Sequence, residues 1–516
     1  MGSVTVITGA TAGDQLEDLL SRGYELVRVG PMDEAGGAQL LAARCPRVTD
    51  EPEAARQLVR SCWGLPQTLR TVASRLARQP RMSVARLVTE VRSGAADQAL
   101  ERALDGLYRD LAEETRSGYR RLGCHPGAVF GLAAATATVA RSERLTRYLL
   151  DDLCDAYLLE PVGTGRYRLP EPVRRHALSQ TEPAERDQAV AAAVQWYART
   201  AMAADRAVKR QRMRVPDLPD GLGAGSLFDA GPPALDWLDQ ESGNLVAAAQ
   251  TALEHGRYQD VCHLGEACWA LFTRRASHGE WERVHALAVT AARHWGNQRA
   301  EARARAQLAR PLWEQHRFTE ARGHLRAALA LAEAADDRRL YASVLEFDGI
   351  ALLESGQAPA ALDRFGQALE VNRLIGSGRG VTLLTYLTGR ALHVVGDQPA
   401  AIRALTEALD RVSAPGQDQD PRTAARIRLF LGVAYRKSGA PAQAAQVLET
   451  ALAEANAAGL RLLEARLLEE LGELVDPVQH PAVARDCWSA AVTLHNGLGG
   501  RLDGQRLTVQ IEALSA

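Results

Sequence analysis

The chain has 516 residues, 46% hydrophobic and 24% charged, with a formal net charge of -2 at pH 7. We expect about three domains, because this length exceeds that of one hydrophobic core, and the charge balance excludes a globally basic protein that coats nucleic acid or membranes. Seven scattered cysteines without a C-x-x-C pair argue against a disulfide framework or a metal site, and no apolar run is long enough to span a membrane. These features favour a cytoplasmic protein.

The first 30 residues predict a small α/β segment. Residues 4–8 have the pattern of a buried strand, Gly9 and Gly13 follow it, and residues 24–29 have a second strand pattern. A dinucleotide site is not predicted here, because Arg28 stands where an acidic residue would bind the ribose.

Two helical regions follow. Residues 31–97 predict a small helical subdomain that contains the turn Gly64-Leu65-Pro66. Residues 98–180 contain two predicted helices that extend through Leu158, a Gly-Thr-Gly turn at residues 163–165 and a strand that begins at residue 166.

These motifs, in this order, resemble those of the NB-ARC ATPases. They are most similar to the regulatory ATPases of the signal-transduction (STAND) class found with antibiotic regulatory proteins in actinobacteria, and the resemblance covers nearly the whole chain. It implies that residues 1–30 are a remnant of a nucleotide-binding domain and that residues 98–180 form a winged-helix domain. It also implies that Gly64, Leu65 and Pro66 are residual nucleotide-motif positions.

The phosphate loop of that family is not found in this sequence. The loop needs a Gly-Lys pair to hold the phosphates, and the sequence has no such pair. The nucleotide-sensing residues of the family also differ, because Thr8-Gly9-Ala10 replaces Thr-Ser-Arg and Pro170-Glu171 replaces His-Asp. We therefore expect a degenerate descendant, a split gene or a mispredicted start, and no hydrolysis by this chain alone.

No other catalytic constellation is predicted. The carboxylate pair Asp151-Asp152 lies in a helical pattern and follows no phosphate loop, and the sequence has neither a G-x-S-x-G nor an H-E-x-x-H motif. The prediction is a non-enzyme without a cofactor and without catalytic or metal-binding residues.

The winged helix raises the alternative of DNA binding. Its second helix, residues 142–156, has more acidic than basic side chains. This excess opposes contact with DNA phosphates and favours an intramolecular docking role. A basic cluster at residues 206–214 precedes a linker rich in Pro and Gly, so we interpret residues 181–232 as a helix and a flexible hinge.

The last part of the chain contains an internal repeat. A small residue recurs at intervals of 40, 40, 43 and 40, and a second glycine follows three of these positions after seven residues. The recurring small residues are Ala309, Gly349, Gly389, Gly432 and Gly472.

Each repeat predicts an apolar helix, a tight turn and an amphipathic helix. The pattern resembles the tetratricopeptide repeat, whose usual period is 34, and longer helices would explain the period of 40. Residues 233–516 are therefore predicted to form an α-solenoid, in a chain that is otherwise mainly α.

The register of the first helix of each repeat predicts the residues that line the groove. We expect a cationic groove with aromatic anchors for an acidic peptide or another domain, while a solvated helix face remains the alternative. The predicted groove residues are Arg310, Trp313, Glu346, Tyr386, Arg390, His393, Arg426, Arg436 and Lys437.

The leading hypothesis is a non-catalytic, STAND-like regulatory scaffold that binds a protein or peptide partner in this groove, in transcriptional or signalling control. One alternative is a transcription regulator that binds DNA through the winged helix. Another is part of a split ATPase that a second chain completes.

Overall fold

The computed structural model describes residues 32–62, 66–92, 96–156, 158–210, 212–217, 227–228, 230–272, 278–414, 420–475, 480–497 and 501–513. They belong to two compact units, which divide between Ala193 and Val194. The predicted α/β segment at residues 1–30 lies outside the described residues, as do Gly64 and Leu65.

A small helical bundle begins the first unit. Its elements are α1 (Glu34–Arg44), a 3-10 helix (Pro46–Asp50), α2 (Pro52–Ser61), α3 (Pro66–Arg78), α4 (Val84–Arg92) and α5 (Ala96–Asp110). In α3 the apolar residues recur at helical spacing, so that Leu69, Val72, Ala73 and Leu76 are all fully buried in the bundle core.

Two polar side chains hold the connection between α3 and α4. Arg47 donates hydrogen bonds to the carbonyls of Gln79 and Met82 at 2.8 and 2.7 Å. Glu51 accepts hydrogen bonds from the amides of Val84 and Ala85 at 2.9 and 3.0 Å, which satisfies free amides at the start of α4. The sharp turn before α4 is therefore fastened at both ends.

A winged helix completes the first unit, as the sequence predicts. Its elements are α6 (Glu113–Gly123), β1 (Val129–Gly131), α7 (Leu132–Val139), α8 (Glu143–Asp155), β2 (Glu160–Pro161), β3 (Arg166–Arg168) and α9 (Glu171–Ser179). The strands form an antiparallel sheet in the order β1-β3-β2. Gly163 and Gly165 have φ values of 67° and 70° in the β2–β3 turn, a conformation that glycine adopts without steric cost.

A hydrogen-bonded chain of side chains links α5, α6 and α9. The hydroxyl of the fully buried Tyr119 lies 2.8 Å from His176 Nδ1, and His176 Nε2 lies 3.1 Å from the carboxylate of Asp105. His176 is thus a hydrogen-bonded core residue.

The second unit is a helical array. The helix α10 (Pro183–Val208) contains the division between the units, and the array follows it. Its helices are α11 (Gly231–Gln240), α12 (Ser242–Glu254), α13 (Tyr258–Phe272), α14 (His278–Trp295), α15 (Gln298–Glu314), α16 (Phe318–Ala334), α17 (Arg338–Glu354), α18 (Ala358–Leu374), α19 (Gly378–Val395), α20 (Gln398–Ser413), α21 (Pro421–Lys437), α22 (Pro441–Ala457), α23 (Arg461–Leu474), α24 (Pro481–Gly497) and α25 (Arg501–Ala513).

From α13 to α24 the helices form antiparallel pairs, in which we call the first helix A and the second B. In α15–α18 each helix has 17 residues and each connection has three, which accounts for the 40-residue period. The predicted α-solenoid with lengthened helices is confirmed.

The recurring small residue lies where the two helices of a pair touch. A Cβ atom added to Gly389 would lie 2.6 Å from Leu405 Cγ, and one added to Gly432 would lie 2.5 Å from Leu448 Cγ. Each large partner stands 16 residues after its glycine. The absence of a side chain on helix A therefore allows helix B to approach closely.

None of the helices in the described part of the chain is long and apolar enough to cross a membrane.

Candidate partner-binding groove

The A helices line the inner side of the array. Between α13 and α24, each A helix contacts the next A helix along the chain, whereas successive B helices do not approach each other to the same extent. The array therefore curves with its A helices inside. We call the solvent-facing surface of the A helices from α15 to α21 the inner face.

At the start of the inner face, Arg310 lies over two buried indole rings. Its guanidinium carbon is 5.3 Å from the ring centroids of both Trp269 and Trp281, and Arg310 Nε donates a 2.8 Å hydrogen bond to Glu314. Trp313 is only 5% exposed, because its ring packs against Phe347 of the next A helix. This predicted anchor contributes to packing between repeats, and it offers little area to a partner.

A second cluster of cations and rings lies two repeats further along. The guanidinium of Arg390 is 4.6 Å from the centroid of Phe430, and that of Arg426 is 5.5 Å from the centroid of Tyr386. The Tyr386 ring is 1% exposed, and its buried hydroxyl forms no hydrogen bond with any described residue. The rings thus form a floor that orients the guanidiniums above them.

Several of the predicted cations already have a carboxylate partner. Arg390 donates a 3.1 Å hydrogen bond to Glu354, and Arg436 donates a 2.7 Å hydrogen bond to Glu470. Like Arg310, they are partly neutralised, so the predicted charge of the groove is reduced at three positions. Exposed charge remains at two of the predicted positions, Arg426 and Lys437.

The other two predicted polar residues differ in their surroundings. His393 Nδ1 lies 2.8 Å from the side-chain oxygen of Gln398, which starts the next helix. Burial raises the pKa of Glu346 to about 7, although the positive charges of Arg303, Arg379 and Arg426 oppose this rise. These three arginines come from α15, α19 and α21, so positive charges of three A helices act on Glu346.

The basic cluster after α10 is fastened to the array. We call residues 205–210 and 212–217 the strap. Arg212 donates hydrogen bonds to Asp205 at 2.9 and 3.1 Å and also to Glu266, while Arg303 donates to Glu266 at 3.0 and 3.1 Å. Arg214 donates to Asp205 at 2.6 Å. The interpretation of this stretch as a flexible hinge is therefore wrong for the strap, because its arginines neutralise buried carboxylates.

Glu266 is the centre of this network. The residue is 1% exposed, and burial alone would raise its pKa, but the guanidiniums of Arg212 and Arg303 outweigh that effect and lower the pKa to about 2. His263, one turn earlier on α13, also holds the strap through a 2.8 Å contact between its Nε2 and the carbonyl of Asp217. The strap thus covers polar groups of α13 and α15.

Lys209 of the strap places a titratable amine within electrostatic reach of the inner face. Burial and the positive charges of Arg422, Arg212 and Arg310 together lower its pKa to about 7. Arg310 belongs to α15 and Arg422 to α21, so both ends of the inner face act electrostatically on this amine.

Sequence reasoning missed the strap because its buried partners stand far along the chain. A charge pattern in one segment does not show whether the charges face solvent, and Glu266 is 54 residues from Arg212. The signal in the sequence was Glu266 itself, an acidic residue that stands between the apolar residues Leu264 and Trp269 in the second half of α13.

The remaining predicted positions form no cluster with the groove residues. Pro66 is the exposed first residue of α3, and the described residues contain no group of His, Cys, Asp and Glu able to hold a metal ion. On α8, the exposed side chains include Arg144, Arg147, Asp151 and Asp155, and Arg147 donates a 2.9 Å hydrogen bond to Glu143.

Comparison with known proteins identifies relatives in actinobacteria. No family model matches the chain. It is 31% identical over 343 residues to the regulatory protein AfsR of Streptomyces coelicolor, and 30% identical over 402 residues to AfsR of Streptomyces griseus. The chain is a homologue of the AfsR regulatory proteins. The STAND resemblance drawn from its motifs is confirmed.

The AfsR alignments cover 63% and 75% of this chain but 34% and 41% of the two relatives, so the chain spans less than half the length of either. A solved STAND protein with a tetratricopeptide repeat sensor, from Pyrococcus horikoshii, has the same fold with a TM-score of 0.59. That match has 14% identity and covers 93% of this chain and 62% of the other.

Proposed function

We propose that this AfsR homologue is a non-catalytic regulatory scaffold in transcriptional or signalling control, and that it binds a protein or peptide partner on the inner face of its repeat array. The observation that carries the proposal is the exposed positive charge of Arg426, which lies above the buried ring of Tyr386. A guanidinium held over an aromatic ring keeps its N–H edges available to an acceptor.

Two further facts support the proposal. Both relatives are named regulatory proteins, and the Pyrococcus protein is described as having a repeat sensor. The side chains of Arg426 and Lys437 on α21 remain exposed while the strap is fastened to α13 and α15.

A random peptide library displayed on phage tests the proposal. We expect selection on the full chain to enrich peptides that lose most of their binding to the Arg426→Glu/Lys437→Glu variant, because both substitutions reverse exposed charges of the groove. Binding is measured by fluorescence anisotropy of the synthesised peptides.

The matched control is Arg326→Glu/Arg403→Glu, which reverses two exposed charges on the B helices α16 and α20. Enriched peptides that bind the groove variant as tightly as the parent chain, or the absence of any enriched peptide, would show that the inner face is not a peptide site.

A further inference from the structure

Four successive A helices carry an arginine at the same position. Arg299, Arg339, Arg379 and Arg422 are each the second residue of their helix, at spacings of 40, 40 and 43 residues. We call these four residues the arginine row. None of them is buried, so packing of the array does not explain why the position is repeatedly arginine.

The row borders the inner face. Arg379 acts electrostatically on Glu346, and Arg422 acts on Lys209 of the strap. Arg379 stands seven residues before Tyr386 on α19, and Arg422 stands four residues before Arg426 on α21, which are spacings that place residues on one face of a helix. The row therefore forms one edge of the groove.

Ion pairs within the chain compensate the row only in part. Arg299 Nε lies 2.8 Å from the carboxylate of Asp337, and Arg379 lies 3.9 Å from that of Asp420. The two arginine side chains are still 49% and 54% exposed. Arg339, which is also exposed, makes no ion pair with any described residue.

The difference follows from the residue that begins the next A helix. Asp337 and Asp420 each cap their helix by accepting a backbone hydrogen bond, at 2.9 and 3.0 Å, and each also faces an arginine of the row. The equivalent residue after Arg339 is Ser377, which caps α19 without a negative charge. Arg339 therefore has no carboxylate from the helix cap opposite it.

The spacing of the row suits an extended chain. Packed helix axes lie roughly 8–10 Å apart, and successive A helices of the array are in contact. A peptide in the extended polyproline II conformation advances about 3.1 Å per residue and completes one turn in three residues, so every third side chain lies on the same face, about 9 Å further along. One acidic side chain in every three residues would meet one arginine per repeat.

We propose that the arginine row binds an extended peptide segment with an acidic side chain at every third residue. This inference rests on the proposed function and specifies the partner that the groove accepts. Charge complementarity selects an acidic segment, and the repeat pitch selects the spacing of its charges.

Two synthetic peptides test the spacing. Both are labelled with fluorescein and contain four glutamates and six Gly or Ser residues; in the first the glutamates are the first, fourth, seventh and tenth residues, and in the second they are contiguous. We expect the full chain to bind the spaced peptide about tenfold more tightly at low salt, with the preference decreasing as salt is added.

The row is tested with the Arg339→Ala/Arg422→Ala variant and its control Arg326→Ala/Arg403→Ala. We expect the first to weaken binding of the spaced peptide about tenfold, because each exposed ion pair contributes up to roughly a fivefold change in affinity. Circular dichroism and thermal unfolding are measured to check that both variants fold. The control is expected to bind like the parent chain.

The outcomes separate this inference from the proposed function. Equal affinity for the two peptides would overturn the spacing, and unchanged affinity of the row variant would overturn the role of the row. In either case, peptides selected from the phage library that still require Arg426 and Lys437 would uphold the proposed function alone.

Discussion

Glu266 shows what a single buried charge can do in this chain. Its carboxylate receives hydrogen bonds from Arg212 of the strap and Arg303 of α15, so one residue joins three segments of the array. Desolvation makes a buried ion pair a modest net contribution to stability, but removing one partner leaves the others buried and uncompensated. The network thus specifies where the strap lies more than it adds to stability.

We expect Glu266→Gln to destabilise the array by about 3 kcal/mol, because it removes the negative charge between two buried guanidiniums. Urea unfolding followed by circular dichroism measures the change. Glu407→Gln removes an exposed pair with Arg411 and should cost less than about 0.5 kcal/mol. Equal effects of the two substitutions would contradict a central role for Glu266.

The lowered pKa of Glu266 also predicts how the stability of the array depends on pH. The pKa of Glu266 is lowered from 4.5 to about 2, so its contribution to stability is fully present above about pH 4.5 and is lost as the pH falls towards 2. The stability difference between the parent chain and Glu266→Gln should therefore be constant near neutral pH and shrink below about pH 4.5.

At the scale of the helix pair, the glycines of helix A set the distance to helix B. Gly389 has room for no Cβ atom, because that atom would lie 2.6 Å from Leu405 Cγ and 3.3 Å from the Leu405 amide nitrogen. Gly366, in the middle of α18, has nothing within 4 Å of the same position. Two helical glycines in one array therefore have opposite roles.

We expect Gly389→Ala to destabilise the array by about 1–3 kcal/mol through overpacking. Gly366→Ala should instead stabilise it by about 0.5–1 kcal/mol, because alanine restricts the unfolded chain and favours a helix. Thermal unfolding of the two variants tests both signs. A stabilising Gly389→Ala would mean that the helices of this pair separate easily.

The turn between helices A and B was predictable in most repeats. Gly356, Gly396 and Gly439 have φ values of 78°, 97° and 79°, the left-handed conformation that favours glycine. In the repeat before that of Gly356, the same position is His316, with a φ of 61°. The glycine pattern alone could not locate this turn, since the surrounding helices impose the conformation on histidine.

At the scale of the whole molecule, the charge of the winged helix bears on whether regulation acts through DNA. The exposed face of α8 carries Arg144 and Arg147 together with Glu143, Asp151 and Asp155, so its acidic groups outnumber its cations. Phosphate contact supplies most of the non-specific affinity of proteins for DNA. The charge of α8 opposes that contact.

We therefore expect the full chain to give no electrophoretic shift of duplex DNA fragments at low salt. Asp151→Lys/Asp155→Lys, which reverses the charge of the face, serves as the comparison and should bind more strongly than the parent chain. A shift by the parent chain that weakens with salt and with Arg144→Ala/Arg147→Ala would favour the DNA-binding alternative.

Much of the architecture was readable from the sequence. Local patterns predict the helix pairs, the 40-residue period and the winged-helix hairpin, because helices and turns leave signals in residues that are close in sequence. The small residues at positions such as Gly349 and Gly389 also predicted close helix approach. The motif order pointed to the regulatory family that the AfsR relatives support.

The sequence by itself thus determined the repeat fold and the register of its A helices, from which the groove residues follow. Only the tertiary structure decided which charges remain available there: it buries Trp313 and Tyr386, pairs Arg390 and Arg436 with glutamates, and fastens the strap to the array. The physical reason is that burial and ion pairing depend on contacts between residues far apart in the chain, which periodicity does not encode.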